Sequence, residues 1–296
     1  MVQLVKFASS VAAAIFQVPP DVFLSISPMM APIPKSPEEI THRKRVDELL
    51  CDEKIWGKGA GYENEEGRRA VDVQLTEKDI EKYQPKPSTY GEVTSLGARQ
   101  LFYYMGMTDD FNNKDSIVFF DLGSGVGRLV MQAYMELPRI SQSIGIELAP
   151  LRHQDAVHAW EQLQPLAEET RRKIPTEQDI IPTAKLDLVE GDFLEADLSE
   201  ATHIYISSLC FTEDMMYKIA KKIESDAPNV QCVATLKSFP SQFEKKGIKD
   251  RINFEVVNKA FGRLIDRTEF VEMSWTVHSN TGNTVHFYTR PDKLKV

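Results

Sequence analysis

Val118-Phe119-Phe120-Asp121-Leu122-Gly123-Ser124-Gly125-Val126-Gly127-Arg128-Leu129 is the stretch whose reading decides the fold. Four consecutive apolar residues, Ile117 to Phe120, read as a buried strand. A glycine-studded bend follows at once and runs into an amphipathic helix carrying Leu129, Val130, Ala133 and Leu137. Glycines at 123, 125 and 127 remove the Cβ at every second position of the bend, so the backbone can turn sharply and approach a ligand that a side chain would push away. Beyond a second apolar run stands Glu147, whose carboxylate can accept hydrogen bonds from two ribose hydroxyls.

Three ligand classes compete for such a bend. A P-loop needs Gly-Lys-Ser/Thr at the helix start to manage phosphates and magnesium, and here Gly127-Arg128-Leu129 stands in that place. A dinucleotide site carries G-x-G-x-x-G, whereas this chain has Gly123-Ser124-Gly125-Val126-Gly127 preceded by Asp121 at the strand's carboxyl end. An acid pointing into the loop repels a pyrophosphate. It suits the ammonium group of S-adenosylmethionine, whose methionine tail is zwitterionic and whose sulfonium is cationic. The methyl donor is therefore the expected cofactor.

The 296 residues, 42% hydrophobic and 27% charged, suit one large α/β domain with an N-terminal extension. A net charge of -9 argues against a broad phosphate-binding face, because nucleic-acid affinity rests on clustered Lys and Arg. Cys51, Cys210 and Cys232 are widely spaced and form no metal-ligand pattern, so an intracellular, reduced protein is expected, cytoplasmic or nuclear, with no structural metal. The run Phe7 to Val18 is apolar but too short to span a bilayer. Residues 1–35 read as a packed arm, with a targeting segment as the other reading.

Ser36-Pro37-Glu38-Glu39 places serine at an N-cap, proline at N1 and glutamate at N3, which predicts a helix to about Glu53. Thr76-Glu77-Lys78-Asp79 predicts another short one. Tyr90-Gly91-Glu92-Val93-Thr94 then leads into a helix with Leu96, Leu101, Phe102 and Met105. Alone, Glu92 reads as a solvated helix-start acid. Beside the glycine bend it becomes a second partner for the ligand's ammonium group. Residues 36–110 are thus a helical extension and residues 111–296 the donor-binding domain.

Behind the bend, Ser143 to Glu147 predicts a second strand and Pro150 to about Arg172 a second crossover helix, whose His153 and His158 point to different faces and read as structural or exposed. Leu186 to Val189 forms a third strand, ended by Gly191-Asp192-Phe193. An acid followed by an aromatic at a strand end can grip adenine, Asp192 accepting from the exocyclic amine and Phe193 lying against the ring. His203 to Ile206 is the fourth strand. Since open α/β sheets bind ligands beyond the carboxyl ends of their strands, Ser207-Ser208-Leu209-Cys210-Phe211 faces the reaction. Cys210 has no activating base nearby in sequence and reads as a packed thiol. After a helix with Met215, Met216, Ile219 and Ile223 comes a fifth strand, Val230 to Leu236. Glu269 to Trp275 and Val285 to Thr289 close the chain as a hairpin across Asn280-Thr281-Gly282-Asn283. Alternating strands and helices with a final hairpin indicate a mostly parallel sheet with an antiparallel strand, covered on both faces.

Taken in order, Tyr90-Gly91-Glu92, the run Asp121 to Gly127, Gly145-Ile146-Glu147, Gly191-Asp192-Phe193, and Ser274-Trp275 with Val285-His286-Phe287-Tyr288 resemble the catalytic domain of the disruptor-of-telomeric-silencing family. The resemblance covers about residues 75 to 290. It implies a Rossmann-like class I methyltransferase fold with a seven-stranded sheet, S-adenosylmethionine as donor and a protein lysine on the nucleosome as acceptor. It further implies that Glu92, Asp121, Gly123, Gly125 and Gly127 hold the methionine end, Glu147 the ribose, and Asp192 with Phe193 the adenine, with Tyr90 and Ser124 also among the donor-binding residues.

Two departures fall on the acceptor side. Where the family has Asn-Asn-Phe-Ala-Phe this chain has Ser207-Ser208-Leu209-Cys210-Phe211, and a tyrosine lining the family's lysine channel corresponds to Phe287. A lysine-rich tail for nucleosomal DNA is also missing. The expected acceptor is therefore a protein lysine outside the nucleosome, with Ser207, Ser208, Phe211 and Phe287, or Tyr288, lining its channel and stabilising partial positive charge on the amine. A small-molecule methyltransferase and a donor-binding module without catalysis are the rival readings.

Overall fold

Ser36 accepts a hydrogen bond from the Glu39 amide and starts α1, Pro37–Leu50, as its sequence predicts. The computed structural model describes residues 32–57, 91–108, 115–209, 211–239, 265–274 and 282–289. Tyr90, the Thr76 to Asp79 helix, Cys210, Trp275 and the first residues of the hairpin turn lie outside the described residues.

After α1 come α2 (Glu53–Trp56), α3 (Ser95–Tyr104), β1 (Ile117–Leu122), α4 (Arg128–Glu136), β2 (Ile140–Glu147) and α5 (Pro150–Arg171). The chain continues through β3 (Lys185–Glu190), β4 (His203–Ile206), α6 (Glu213–Asp226), β5 (Cys232–Thr235), β6 (Ile265–Val271) and β7 (Asn283–Thr289). Seven strands form one sheet in the order β3-β2-β1-β4-β5-β7-β6. Pairs from β3 through β5 are parallel, and β7 inserts antiparallel between β5 and β6. This is the Rossmann-like methyltransferase architecture that the sequence predicts. The hairpin strand β6 starts earlier than expected, at Ile265, because an edge strand does not need the apolar alternation by which strands are recognised.

Chain order reverses at β1, with β2 on one side and β4 on the other, so the crossovers diverge and leave a crevice at the strands' carboxyl ends. Phe119, Leu129, Val130, Leu101 and Phe102 fill the layer between the sheet and α3 and α4. Phe120, Ile144, Ile204, Met216 and Ile219 fill the layer under α6. Both faces of the central strands are thus dry, which explains their unbroken apolar runs.

Val46, Leu49 and Leu50 of α1 pack against Met131 and Met135 of α4 and Leu163 of α5. Arg99 of α3 locks this arrangement, donating to both Glu136 of α4 at 2.6 Å and Asp47 of α1 at 2.7 Å. A second buried arginine, Arg171 at the end of α5, donates to the carbonyls of Tyr134, Leu137, Pro138, Ile140 and Ile181 and lies over the Tyr134 ring. Without a carboxylate partner, burial pulls its pKa down to about 10, yet it stays charged. It staples the ends of α4 and α5 to the start of β2.

Candidate functional site

The crevice at the reversal point is lined by Asp121, the glycine bend, Glu147, Asp192, Phe193, Tyr205, Ser207 and Phe211, with Glu92 and Arg128 on its rim. Its most buried carboxyl is Asp121, the penultimate residue of β1 and only 3% exposed. Its Oδ1 is buried and makes no hydrogen bond. Burial, reinforced by the neighbouring Glu147 carboxylate, pushes the Asp121 pKa up to about 8. A carboxyl held in that condition gains most from a cation arriving in the crevice.

The bend above it depends on glycine. Gly123, Gly125 and Gly127 sit at φ 91°, 56° and 80°, the left-handed region that costs other residues. A Cβ on Gly123 meets nothing within 4 Å, because it would project into the crevice. Gly127 does something else. A Cβ there would come within 3.1 Å of Leu188 and 3.2 Å of Met131, so this glycine lets α4 lie close to the sheet and does not line the crevice, contrary to expectation. Ser124 lines the crevice and is seated against β2, where a Cβ on Gly145 would stand 2.7 Å from its hydroxyl.

Glu147 ends β2 at the crevice as expected, and it also organises the bend. Its Oε2 accepts from the Gly125 amide and its Oε1 from the Ala149 amide, both at 2.8 Å. Each oxygen keeps acceptor capacity for a ribose hydroxyl. At the end of β3, Asp192 accepts from the Leu194 amide at 2.9 Å, an Asx turn that presents Phe193. The Phe193 and Phe211 rings lie 6.1 Å apart, tilted by 34°. They form an aromatic wall with Met215 beside it.

Glu92 reaches the rim because residues 92–94 are strapped to residues 272–274. The Glu92 carbonyl accepts from the Ser274 amide at 2.8 Å, its amide donates to the Ser274 hydroxyl at 3.1 Å, and Val93 bridges Met273. Gly97 makes the close approach possible, since a Cβ there would overlap the Glu272 carbonyl. The Glu92 carboxylate pairs with Arg128 at 2.6 Å.

On the acceptor side the expectations divide. Ser207 and Phe211 line the crevice. Ser208 does not: it is fully buried, hydrogen-bonded to the Thr235 hydroxyl and accepting from the Lys237 amide, so it anchors the loop from behind. Phe287 is also fully buried, in the layer under α3 with its ring 5.6 Å from Tyr104, and Tyr288 accepts from the Phe239 amide on the opposite face. Neither reaches the crevice.

Tyr205, Arg128, Arg152 and Met215 line it without having been singled out. Tyr205 pairs with Asp121 in the β4–β1 register and so shares its face. Burial and then the Asp121 charge push its phenol pKa up, so it is neutral; Ser207 stands beside its hydroxyl but not in good hydrogen-bonding geometry. Strand alternation carried that signal, but only once β1 and β4 were paired. Among the described residues no cluster of metal-ligating side chains occurs, and no helix is long and apolar enough to cross a membrane.

Several solved structures are similar. An RNA methyltransferase from Salinibacter ruber in complex with S-adenosyl-L-homocysteine is 18% identical, over 72% of this chain and 95% of its own, with a TM-score of 0.37. Magnesium protoporphyrin IX methyltransferase from Synechocystis PCC 6803, with bound S-adenosylmethionine, is 12% identical over 84% of this chain and 97% of its own, with a TM-score of 0.40. A dimethyladenosine transferase from Plasmodium falciparum is 11% identical over 69% and 65%, with a TM-score of 0.42. No curated protein sequence matches. The profile of the family described as "Histone methylation protein DOT1" matches residues 69–289, well over half of the 296, and places the chain in that family.

Proposed function

We propose that the chain transfers a methyl group from S-adenosylmethionine to a protein lysine. The observation that carries the donor half is Asp121, a buried carboxyl with an oxygen lacking any partner, set beneath a bend of alternating glycines. A phosphate would meet four carboxyl groups in this crevice, Glu92, Asp121, Glu147 and Asp192, whereas a cationic amino-acid nucleoside meets groups that favour its charge. In this reading Asp121 and Glu92 face the ammonium, Glu147 takes the ribose, and Asp192 with Phe193 takes the adenine.

The donor supplies a carbon already activated by its sulfonium. The amine lone pair forms the new C–N bond as the C–S bond breaks, the electron pair leaves on the thioether sulfur, and the ammonium product gives its proton to solvent. The protein's part is alignment and exclusion of water. Ser207 and Phe211 stand where they could orient the incoming amine and stabilise its growing positive charge. Lysine as the acceptor is supported by membership of the histone methylation family. The changed residues at 207–211 and the net charge of -9 favour a protein other than the nucleosome.

The test is tritiated methyl transfer into fractionated lysate, core histones and reconstituted nucleosomes, with the labelled residue identified by mass spectrometry. Label on lysine of a non-histone protein is the expected result. Label confined to low-molecular-weight material would replace the lysine reading with a metabolite one, and donor binding without transfer would make the chain a binding module.

A further inference from the structure

Packing explains the ring of Tyr205 but not its hydroxyl. The residue is 2% exposed and sits in the layer under α3 and α4 with Leu101, Phe102 and Phe119. A phenylalanine would fill that space equally well and bring no polar atom to satisfy. The Tyr205 hydroxyl is buried without a hydrogen-bond partner, a condition that folded proteins rarely keep unless the group has a use. Ser207 stands beside it but out of good geometry, so the phenol's proton is not committed there.

Asp121 shows the matching deficit, since its Oδ1 is buried and unpartnered as well. In the register of β1 and β4 it is the direct partner of Tyr205, so the two side chains leave the sheet on the same face, and both line the crevice. Their backbones are one strand spacing apart, about 4.8 Å. Glu147 differs at this point: each of its oxygens already accepts from a backbone amide at 2.8 Å. Asp121 Oδ1 has no amide. That is bearable while burial and the Glu147 charge keep the Asp121 carboxyl protonated. A cation in the crevice draws Asp121 into the ionised form, and a buried carboxylate needs donors on both oxygens. The donor's ammonium can serve one. For the other, the phenol is a neutral donor on the adjacent strand, and burial together with the Asp121 charge keeps its proton in place.

We propose that Tyr205 is a positioning residue for the methyl donor: its hydroxyl donates to Asp121 Oδ1 once Asp121 is ionised, and so fixes the carboxylate that faces the donor's ammonium. The inference rests on the donor reading above and deepens it. The hydroxyl then acts only through Asp121 and only for ligands that carry a cation, which sets it apart from a ring that merely fills the layer under α3 and α4.

Calorimetry on the full chain tests this with Tyr205→Phe, which keeps the ring and deletes one oxygen. S-adenosylmethionine should bind that variant about tenfold or more weaker than wild type, the size expected for a hydrogen bond to a charged group. Methylthioadenosine, which lacks the amino-acid tail and its ammonium, should bind both proteins alike. In an Asp121→Asn background, whose side chain never ionises, the same substitution should change S-adenosylmethionine affinity by at most about twofold, because a neutral amide gains less from the phenol. Equal S-adenosylmethionine affinity in wild type and Tyr205→Phe overturns the inference and leaves the donor reading standing. So does a loss shared by methylthioadenosine, or one that persists undiminished in Asp121→Asn. A wild-type chain that binds neither nucleoside overturns the donor reading itself.

Discussion

Asp121 and Arg171 are both ionisable residues under 5% exposed, and they lie at opposite ends of the strands. Arg171 spends its terminal nitrogens on five backbone carbonyls at helix and strand ends, two of which, those of Leu137 and Pro138, also accept from backbone amides. Asp121 has an oxygen with no partner and a carboxylate neighbour that makes ionisation harder. Arg171 has its terminal nitrogens answered within the fold and only its Nε left over, whereas Asp121 is answered only when something is added. Burial of a charge therefore says little about function here; whether its hydrogen-bonding capacity is used up says much more.

Substitutions can break or sharpen that contrast. The largest effect is expected from Gly125→Arg, which fills the donor's space and forces a long side chain onto a φ of 56°; donor binding should vanish by calorimetry, and an unchanged affinity would refute the placement of the donor above the bend. Arg171→Leu should cost about 3–5 kcal/mol in urea unfolding, because it removes five charge-assisted hydrogen bonds to backbone carbonyls at once. A loss under about 1 kcal/mol would mean that water replaces the guanidinium and that the staple is not structural. Asp121→Asn should go the other way on stability, neutral or gaining about 1 kcal/mol as a buried ionisable group is removed, while donor affinity falls about a hundredfold. If the asparagine variant were both less stable and fully competent to bind, the roles of the two buried charges would have to be exchanged.

The mildest probe is pH. With the Asp121 pKa raised to about 8, the empty site is largely protonated at neutral pH, and a cationic donor favours the ionised form. Binding then expels a proton, so affinity should rise with pH up to about 8 and level off above it, by at most about tenfold per unit. Calorimetry at pH 7 in buffers of different ionisation enthalpy should report close to one proton released, and Asp121→Asn should report none. A flat profile in the wild-type protein would mean that Asp121 is already charged without its ligand.

The parts of this molecule most legible in the sequence are those set by local chemistry. Ile117 to Phe120, the glycine bend and Glu147 were readable because an apolar run, positive-φ positions and a strand-end acid leave their marks on adjacent residues. Ser36 and Pro37 announced α1 in the same way. The acceptor side was not legible to that depth. Ser207 and Ser208 are chemically identical neighbours, and a single residue decides which faces the crevice and which turns back to Thr235. Phe287 sits at the place expected of a channel residue, yet α3 covers that face of β7 and buries it.

By itself, then, the sequence determined the strand–bend–helix unit, the order of elements and the class of donor, since each follows from backbone geometry and charge within a few dozen residues. Tertiary structure alone decided that Tyr205 lies beside Asp121, that Gly127 serves packing and not the ligand, and that Trp56 stands under Arg128. Those contacts join segments far apart in the chain, and no local pattern encodes which distant side chain will fill the space next to a given one.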